Sequence, residues 1–333
     1  MGAPIGLTEE TRSLRRSPMA RRELVGEAAA GIPFLAAAAA LLLATAAPAD
    51  IVVTDVILFV ALVAVIGRLK FETGAGSLVP TQLAFVPLLF VLEPALAPAV
   101  VAAGFLAGSL PDVLRGREHP HWLVTSLGDA MFAVGPALVF VLFDVQAPVL
   151  SDWPIYALAL AAQFAGDLGS STLREWIGRA VAPKLQLDIL REVWLVDILL
   201  SPIGLLAALA STVEHDAYLL VLPLGALLSV FARERRERIG TAIELSSAYR
   251  GTALLLGDVL SEDDEYTGMH SQGVVVLALA IADELNVDGD ERRLIEFGAM
   301  LHDIGKMSTP KEILHKPGPL DDEEWKTMRR HTI

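Results

Sequence analysis

Eight apolar runs separated by short polar connections fill the first 232 residues: Ala28–Ala47, Ile51–Gly67, Leu78–Leu92, Pro94–Leu110, Trp122–Phe143, Trp153–Leu168, Val193–Ala210 and Ala217–Ala232. A helix rises about 1.5 Å per residue and the hydrocarbon core of a bilayer is about 30 Å thick, so about twenty uncharged residues suffice to cross it. The first run has that length. It competes with a cleavable leader, because Ala44-Thr-Ala-Ala-Pro-Ala49 precedes Asp50. The run is longer than a leader's apolar core, so a retained helix is expected. Glu93 and Pro94 split Leu78–Leu110 into two short spans or a re-entrant hairpin.

The connections alternate in charge. Arg68 and Lys70 follow the second run, Arg115 and Arg117 the fourth, and Arg174, Arg179, Lys184 and Arg191 the sixth. Arg233, Arg235, Arg236 and Arg238 follow the eighth, and five arginines between Arg12 and Arg22 precede the first. Pro48–Asp50, Glu93, Asp144–Asp152 and Ser211–Asp216 contain no Lys or Arg. Cationic loops stay in the cytoplasm, so eight spans with both termini inside are expected, in the inner (plasma) membrane. Asp55, Asp129, Asp167 and Asp197 lie inside apolar runs. A carboxylate at mid-bilayer costs about 2.5–3.5 kcal/mol on insertion scales. Such acids either hydrogen-bond between helices or line a polar cavity that senses an ion or small ligand, and Gln163 stands near Asp167.

Arg233–Leu260 runs without proline. One heptad track passes through Ile239, Ala242, Ser246, Tyr249, Ala253, Leu256 and Leu260, interrupted by the polar Ser246 and weakened by Gly240, Gly251 and Gly257. It reads either as a signalling helix that pairs two protomers or as a plain connector. Helices are expected over Tyr266–Leu285, Glu291–Asp303, Pro310–Leu314 and from Asp321 towards His331, with a break at Asn286–Asp290 and a turn at Lys316–Pro319. The expected fold is all-α: a polytopic transmembrane bundle, a connecting helix and a helical cytoplasmic domain.

Composition narrows the chemistry. The 333 residues are 53% apolar with a mean hydropathy of +0.52, which fits a membrane protein. Net charge is −14, with 13 Lys+Arg against 20 Asp+Glu on each side of position 232, so a nucleic acid polymer is not an expected partner. The absence of cysteine confines any metal site to His and carboxylate ligands. Four of the seven histidines, His270, His302, His315 and His331, lie in the last 64 residues, and Asp303 directly follows His302. His119, His121 and His215 belong to the membrane part, where an interfacial or solvated role is the simpler reading. Imidazole beside carboxylate suits a divalent transition metal. A carboxylate has two oxygens and can bridge two ions, and such a pair can activate water and neutralise a phosphodiester. Lys306, about one turn on, can bind a phosphate oxygen. His315 reads as a supporting or surface residue.

The motifs HSQGV at His270, LHDIGK at Leu301–Lys306, PxxIL from Pro310, KPGxL from Lys316 and EEW at Glu323–Trp325, ending at His331, resemble the HD-GYP branch of the HD-domain phosphohydrolases. The resemblance covers about residues 261–333. It implies a helical bundle that holds two or three metal ions, commonly iron or manganese, and hydrolyses cyclic dinucleotides, chiefly cyclic di-GMP. By position it makes His270, His302, Asp303 and His331 metal ligands, Asp303 the bridging one, and Lys306 the phosphate contact. Tyr266 stands where a three-metal site would have Glu, which favours two ions, iron or manganese. Gln272-Gly273 replaces a frequent Arg-Val pair. The GYP motif and later ligands do not occur before Ile333, so this stretch alone is expected to be inactive, as a piece of a larger enzyme.

The expected organisation is a cytoplasmic basic tail over 1–27, a membrane sensor over 28–232, a connecting helix over 233–260 that forms a homodimer, and the N-terminal part of an HD-GYP domain over 261–333. The expected activity is a membrane-bound, metal-dependent cyclic di-GMP phosphodiesterase. The competing readings are a receptor whose HD-like domain binds a nucleotide or protein without turnover and, from the acids in the spans, a transporter.

Overall fold

The computed structural model describes residues 15–45, 52–72, 77–261, 267–287 and 289–332. They are mainly helical, with turns between the helices and one short antiparallel pair, β1 (Phe71–Glu72) and β2 (Ser77–Leu78), in which Phe71 stands opposite Leu78. The chain divides into two compact units, one within Ala3–Glu237 and one within Arg238–Ile333.

Each apolar run of the first unit is helical over most of its described residues. In chain order they are α1 (Arg21–Ala44), α2 (Val53–Ile66), α3 (Gln82–Val91), α4 (Ala97–Leu114), α5 (Thr125–Asp129), α6 (Val134–Leu142), α7 (Trp153–Arg179), α8 (Pro183–Ser211) and α9 (Val221–Ser261). Short 3-10 turns at Pro120–Val124 and Ala130–Ala133 link α4, α5 and α6, so the fifth run is segmented rather than one regular helix. Among the described residues, five segments are long and apolar enough to cross a membrane: Arg21–Ala44, Pro94–Leu114, Pro120–Leu142, Gln186–Ser211 and His215–Tyr249. α2 and α3 are shorter apolar helices. The ten residues of α3 reach only about 15 Å at 1.5 Å per residue, half a hydrocarbon core. Its length therefore matches the re-entrant alternative better than a full span.

The core of this unit gathers Phe34, Phe59, Phe85, Leu88 and Val101, with Phe85 set edge-on to Phe132 at 5.0 Å. Backbones approach closely where α6 crosses α7. A Cβ on Gly135 would stand 2.5 Å from the carbonyl oxygen of Ala162. Close packing of small residues is how helices associate where lipid removes the hydrophobic drive between them. Gly135→Leu should therefore destabilise the unit by about 1–3 kcal/mol as an overpacked crossing. A thermal melt in nanodiscs that matched the parent's would contradict this packing.

Each of the four acids in the apolar runs finds a partner on another element. Asp55 pairs with His215 at 2.9 Å, Asp129 with Arg174 at 2.5 Å, Asp167 with the indole N–H of Trp194 at 3.4 Å, and Asp197 accepts from Gln163 at 3.1 Å. Interhelical bonding thus accounts for Asp129, Asp167 and Asp197, while Asp55 pairs with a residue of the 3-10 turn His215–Leu220. A cavity of about 240 Å³ among α3, α6, α7 and α8 is walled mainly by apolar groups such as Phe85 and Phe140, and none of the four acids lines it.

α9 continues without interruption for 41 residues, about 60 Å, over both the eighth apolar run and the expected connector. Ile239 and Tyr249 of the heptad track are exposed. In the second unit α10 (Thr267–Glu284) and α11 (Gly289–Leu301) form a hairpin around Val275, Ala299 and Met300. Asn286, in the left-handed region at φ 54°, turns the chain between them, and Arg292 grips Asp283 with two bonds of 2.6 and 3.2 Å. α12 (Lys311–Leu314) and α13 (Asp322–Arg329) follow.

Candidate metal centre

α11 ends at Leu301, two residues earlier than expected, because Asp303 adopts φ −100°, ψ 0° and the chain tightens into a 3-10 turn over Ile304–Ser308. His302 and Asp303 thereby leave the regular helix. A second 3-10 turn, Arg330–Thr332, carries His331 after α13.

These turns converge on the Asp303 carboxylate, whose side chain is 15% exposed. The Nε2 of His302 lies 3.3 Å from Oδ2, the Nε2 of His331 lies 3.8 Å from Oδ1, and the Lys306 ammonium binds Oδ2 at 2.6 Å. Both rings are oriented in the same manner. Nδ1 of His302 meets the carbonyl of Ala299 at 2.9 Å, and Nδ1 of His331 meets the carbonyl of Met328 at 2.5 Å. A carbonyl oxygen only accepts, so each Nδ1 must carry the proton, and in a neutral imidazole Nε2 is then a lone-pair donor. With Nδ1 tied to a backbone carbonyl, each ring turns its Nε2 towards the same carboxylate. Backbone-anchored Nδ1–H groups are the usual support of metal-ligating histidines. The donor set of nitrogen and carboxylate oxygen fits a divalent transition ion.

Of the expected site residues, His302, Asp303, Lys306 and His331 come together. His270 belongs to α10, and its side chain lies outside the described residues. His315 is exposed. Tyr266 is likewise outside the described residues.

Two features carry the geometry without having been candidate site residues. A Cβ on Gly305 would stand 2.0 Å from the backbone oxygen of His331, so only glycine lets the two turns touch. The KPG and EEW motifs meet as well: the Lys316 ammonium pairs with Glu324, whose other contact is the backbone N–H of Asp321 at 2.8 Å. Asp321 in turn caps α13 through the N–H groups of Glu323 and Glu324, at 3.0 and 2.9 Å. This capping box fixes the helix that leads to His331. The only sequence signal for Gly305 was its place between His302 and Lys306.

The Lys316 ammonium and the Asp321 N–H hold the Glu324 carboxyl below its ordinary value of 4.5. A depressed carboxyl contributes stability above its unfolded pKa and loses it as pH falls through the lower folded value. The protection factors of the α13 amides, taken against the intrinsic exchange rate at each pH, should therefore fall on acidification below about pH 4.5, and Glu324→Gln should flatten that dependence. An unchanged profile in the variant would remove Glu324 from this role.

Residues 267–333 match the family model described as HD domain. A cyclic di-GMP phosphodiesterase of Pseudomonas aeruginosa is 38% identical over 136 residues, which cover 37% of this chain and 32% of that protein. A 3'3'-cGAMP-specific phosphodiesterase of Vibrio cholerae is 38% identical over 80 residues, 24% of this chain and 19% of that protein. A cyclic di-GMP phosphodiesterase response regulator of Xanthomonas campestris is 33% identical over 88 residues, 26% of this chain and 23% of that protein. The chain thus spans a fifth to a third of the length of these relatives. No solved structure matches it. The turns that gather His302, Asp303 and His331 lie within an HD domain at the C-terminus, with cyclic dinucleotide phosphodiesterases among its relatives.

Proposed function

We propose that this chain joins a membrane-sensing unit to catalytic residues of a metal-dependent cyclic dinucleotide phosphodiesterase of the HD-GYP branch. The observation that carries the reading is the Asp303 carboxylate, which turns one oxygen to His331 and the other to His302. Each oxygen can share an ion with a different imidazole, the arrangement a bridging ligand needs. His270, by its place in the motif, completes the ligand set of two ions, iron or manganese. When bound, such ions lower the pKa of water and offset the negative charge of a phosphodiester. His302 and His331 hold their nitrogens ready through the Ala299 and Met328 carbonyls. Lys306, paired with Asp303 at 2.6 Å, is placed to exchange that carboxylate for a substrate phosphate oxygen.

The five helices suited to crossing a membrane support a multi-pass protein in the inner membrane. The eight-span topology with both ends cytoplasmic, and a homodimer paired along the α9 continuation, belong to the same proposal. The substrate class rests on the relatives, which include both cyclic di-GMP and cGAMP enzymes. The full-length protein, supplied with manganese or ferrous iron, should convert cyclic di-GMP, 3'3'-cGAMP or both to linear products, and a chelator should stop the conversion. Tight binding of these nucleotides with no product under either metal would replace this reading by that of a receptor.

A further inference from the structure

We propose that Asp55, His215 and Asp216 form a second divalent-cation site, in the membrane unit, that shares no residue with the HD centre. One ligand atom from each residue lies within 4.8 Å of the other two. Asp55 is buried at 4% exposure in the first turn of α2, and its Oδ2 meets His215 Nε2 at 2.9 Å. His215 and Asp216 are exposed, so an ion can arrive from solvent and settle against an anchored carboxylate.

A separate observation points to something bound there. The Tyr218 ring is fully buried, stacked on Phe59 at 4.4 Å and edge-on to His215 at 6.4 Å. Its hydroxyl stands in the field of both Asp55 and Asp216 and has no hydrogen-bond partner among the described residues. Buried tyrosine hydroxyls are nearly always bonded, because burying one unpaired is costly. A cation with three protein ligands retains water in its remaining positions, and such a water supplies the missing partner. An Asp55–His215 pair alone leaves Tyr218 unsatisfied.

One imidazole and two carboxylates select a first-row ion such as Zn²⁺ or Mn²⁺ over Mg²⁺ or Ca²⁺, which prefer oxygen alone. The surroundings favour positive charge: the connection Ser211–Asp216 holds Glu214 and Asp216 and no Lys or Arg. The site also joins the start of α2 to the 3-10 turn His215–Leu220 that opens α9. An ion bound here therefore acts on the entry of the helix that continues to Ser261. The proposal does not depend on the phosphodiesterase reading.

The test uses the whole chain in nanodiscs with the HD centre disabled by His302→Ala and Asp303→Ala. After equilibration with Zn²⁺ or Mn²⁺ and dialysis, elemental analysis should find about one ion per chain, and His215→Gln should weaken retention about tenfold or more. His215 has a side chain that is 59% exposed, so its replacement leaves the core intact, and a thermal melt without metal checks this. Zn²⁺ should raise the melting temperature of the HD-disabled protein and lose that effect with His215→Gln. No ion retained in the HD-disabled protein, or retention equal with and without His215→Gln, would overturn the site.

Discussion

Asp303→Ala is expected to remove divalent-metal binding from the C-terminal unit and to cut phosphodiester hydrolysis by the full-length protein about a thousandfold or more. Three groups address this one carboxylate: His302 at 3.3 Å, His331 at 3.8 Å and Lys306 at 2.6 Å. Its removal leaves two imidazoles and an ammonium with no anion between them. No ion can then be shared, and the Lys306 charge is left without its partner. Asp303→Asn separates shape from charge, since the amide fills the same space but binds a divalent ion poorly. Both variants should keep the helical circular dichroism of the parent, because Asp303 lies in a turn beyond the end of α11. Metal retained at the parent's level in either variant would remove Asp303 from the ligand set.

Gly305→Ala should have the second largest effect, although Gly305 has no side chain with which to bind anything. The added methyl would fall 2.0 Å from the His331 carbonyl oxygen, a backbone atom that cannot rotate away. The turn carrying His331 must then move. Overpacking of this kind costs about 1–3 kcal/mol. Displacing a ligand's support typically lowers metal affinity by about 10–100-fold. Gly318→Ala is the matched control, because nothing stands within 4 Å of a Cβ there. Calorimetric metal titration should show a large loss for the first and almost none for the second. Equal affinities would show that the contact between the two turns is dispensable.

The helical character of the chain was legible because its signals are local. Apolar runs, a capping aspartate at Asp321 and a proline ahead of Lys311 each act within a turn or two. The cluster of His302, Asp303, Lys306 and His331 was legible for a different reason: three of the four residues are adjacent or one turn apart, and motif spacing supplied the fourth. The partners of Asp55, Asp129, Asp167 and Asp197 were not legible. His215 lies 160 positions from Asp55 and Arg174 lies 45 from Asp129, and no periodicity announces contacts over such separations. Gly305 was passed over because its role depends on the backbone of His331. Where α3 begins and ends inside the run Leu78–Leu92 is not legible, because hydropathy reports composition rather than where Pro80 and Leu92 bound the helix.

Hydrolysis in ¹⁸O-enriched water by the full-length protein and its Asp303→Ala variant, read by mass spectrometry of the product phosphates, is the most direct test. The metal-loaded parent should open a cyclic dinucleotide and incorporate solvent oxygen at each phosphate cleaved, while the variant yields no detectable product, as metal ligation by Asp303 requires. A labelled product formed equally by the variant, or no product from the metal-loaded parent, would contradict it.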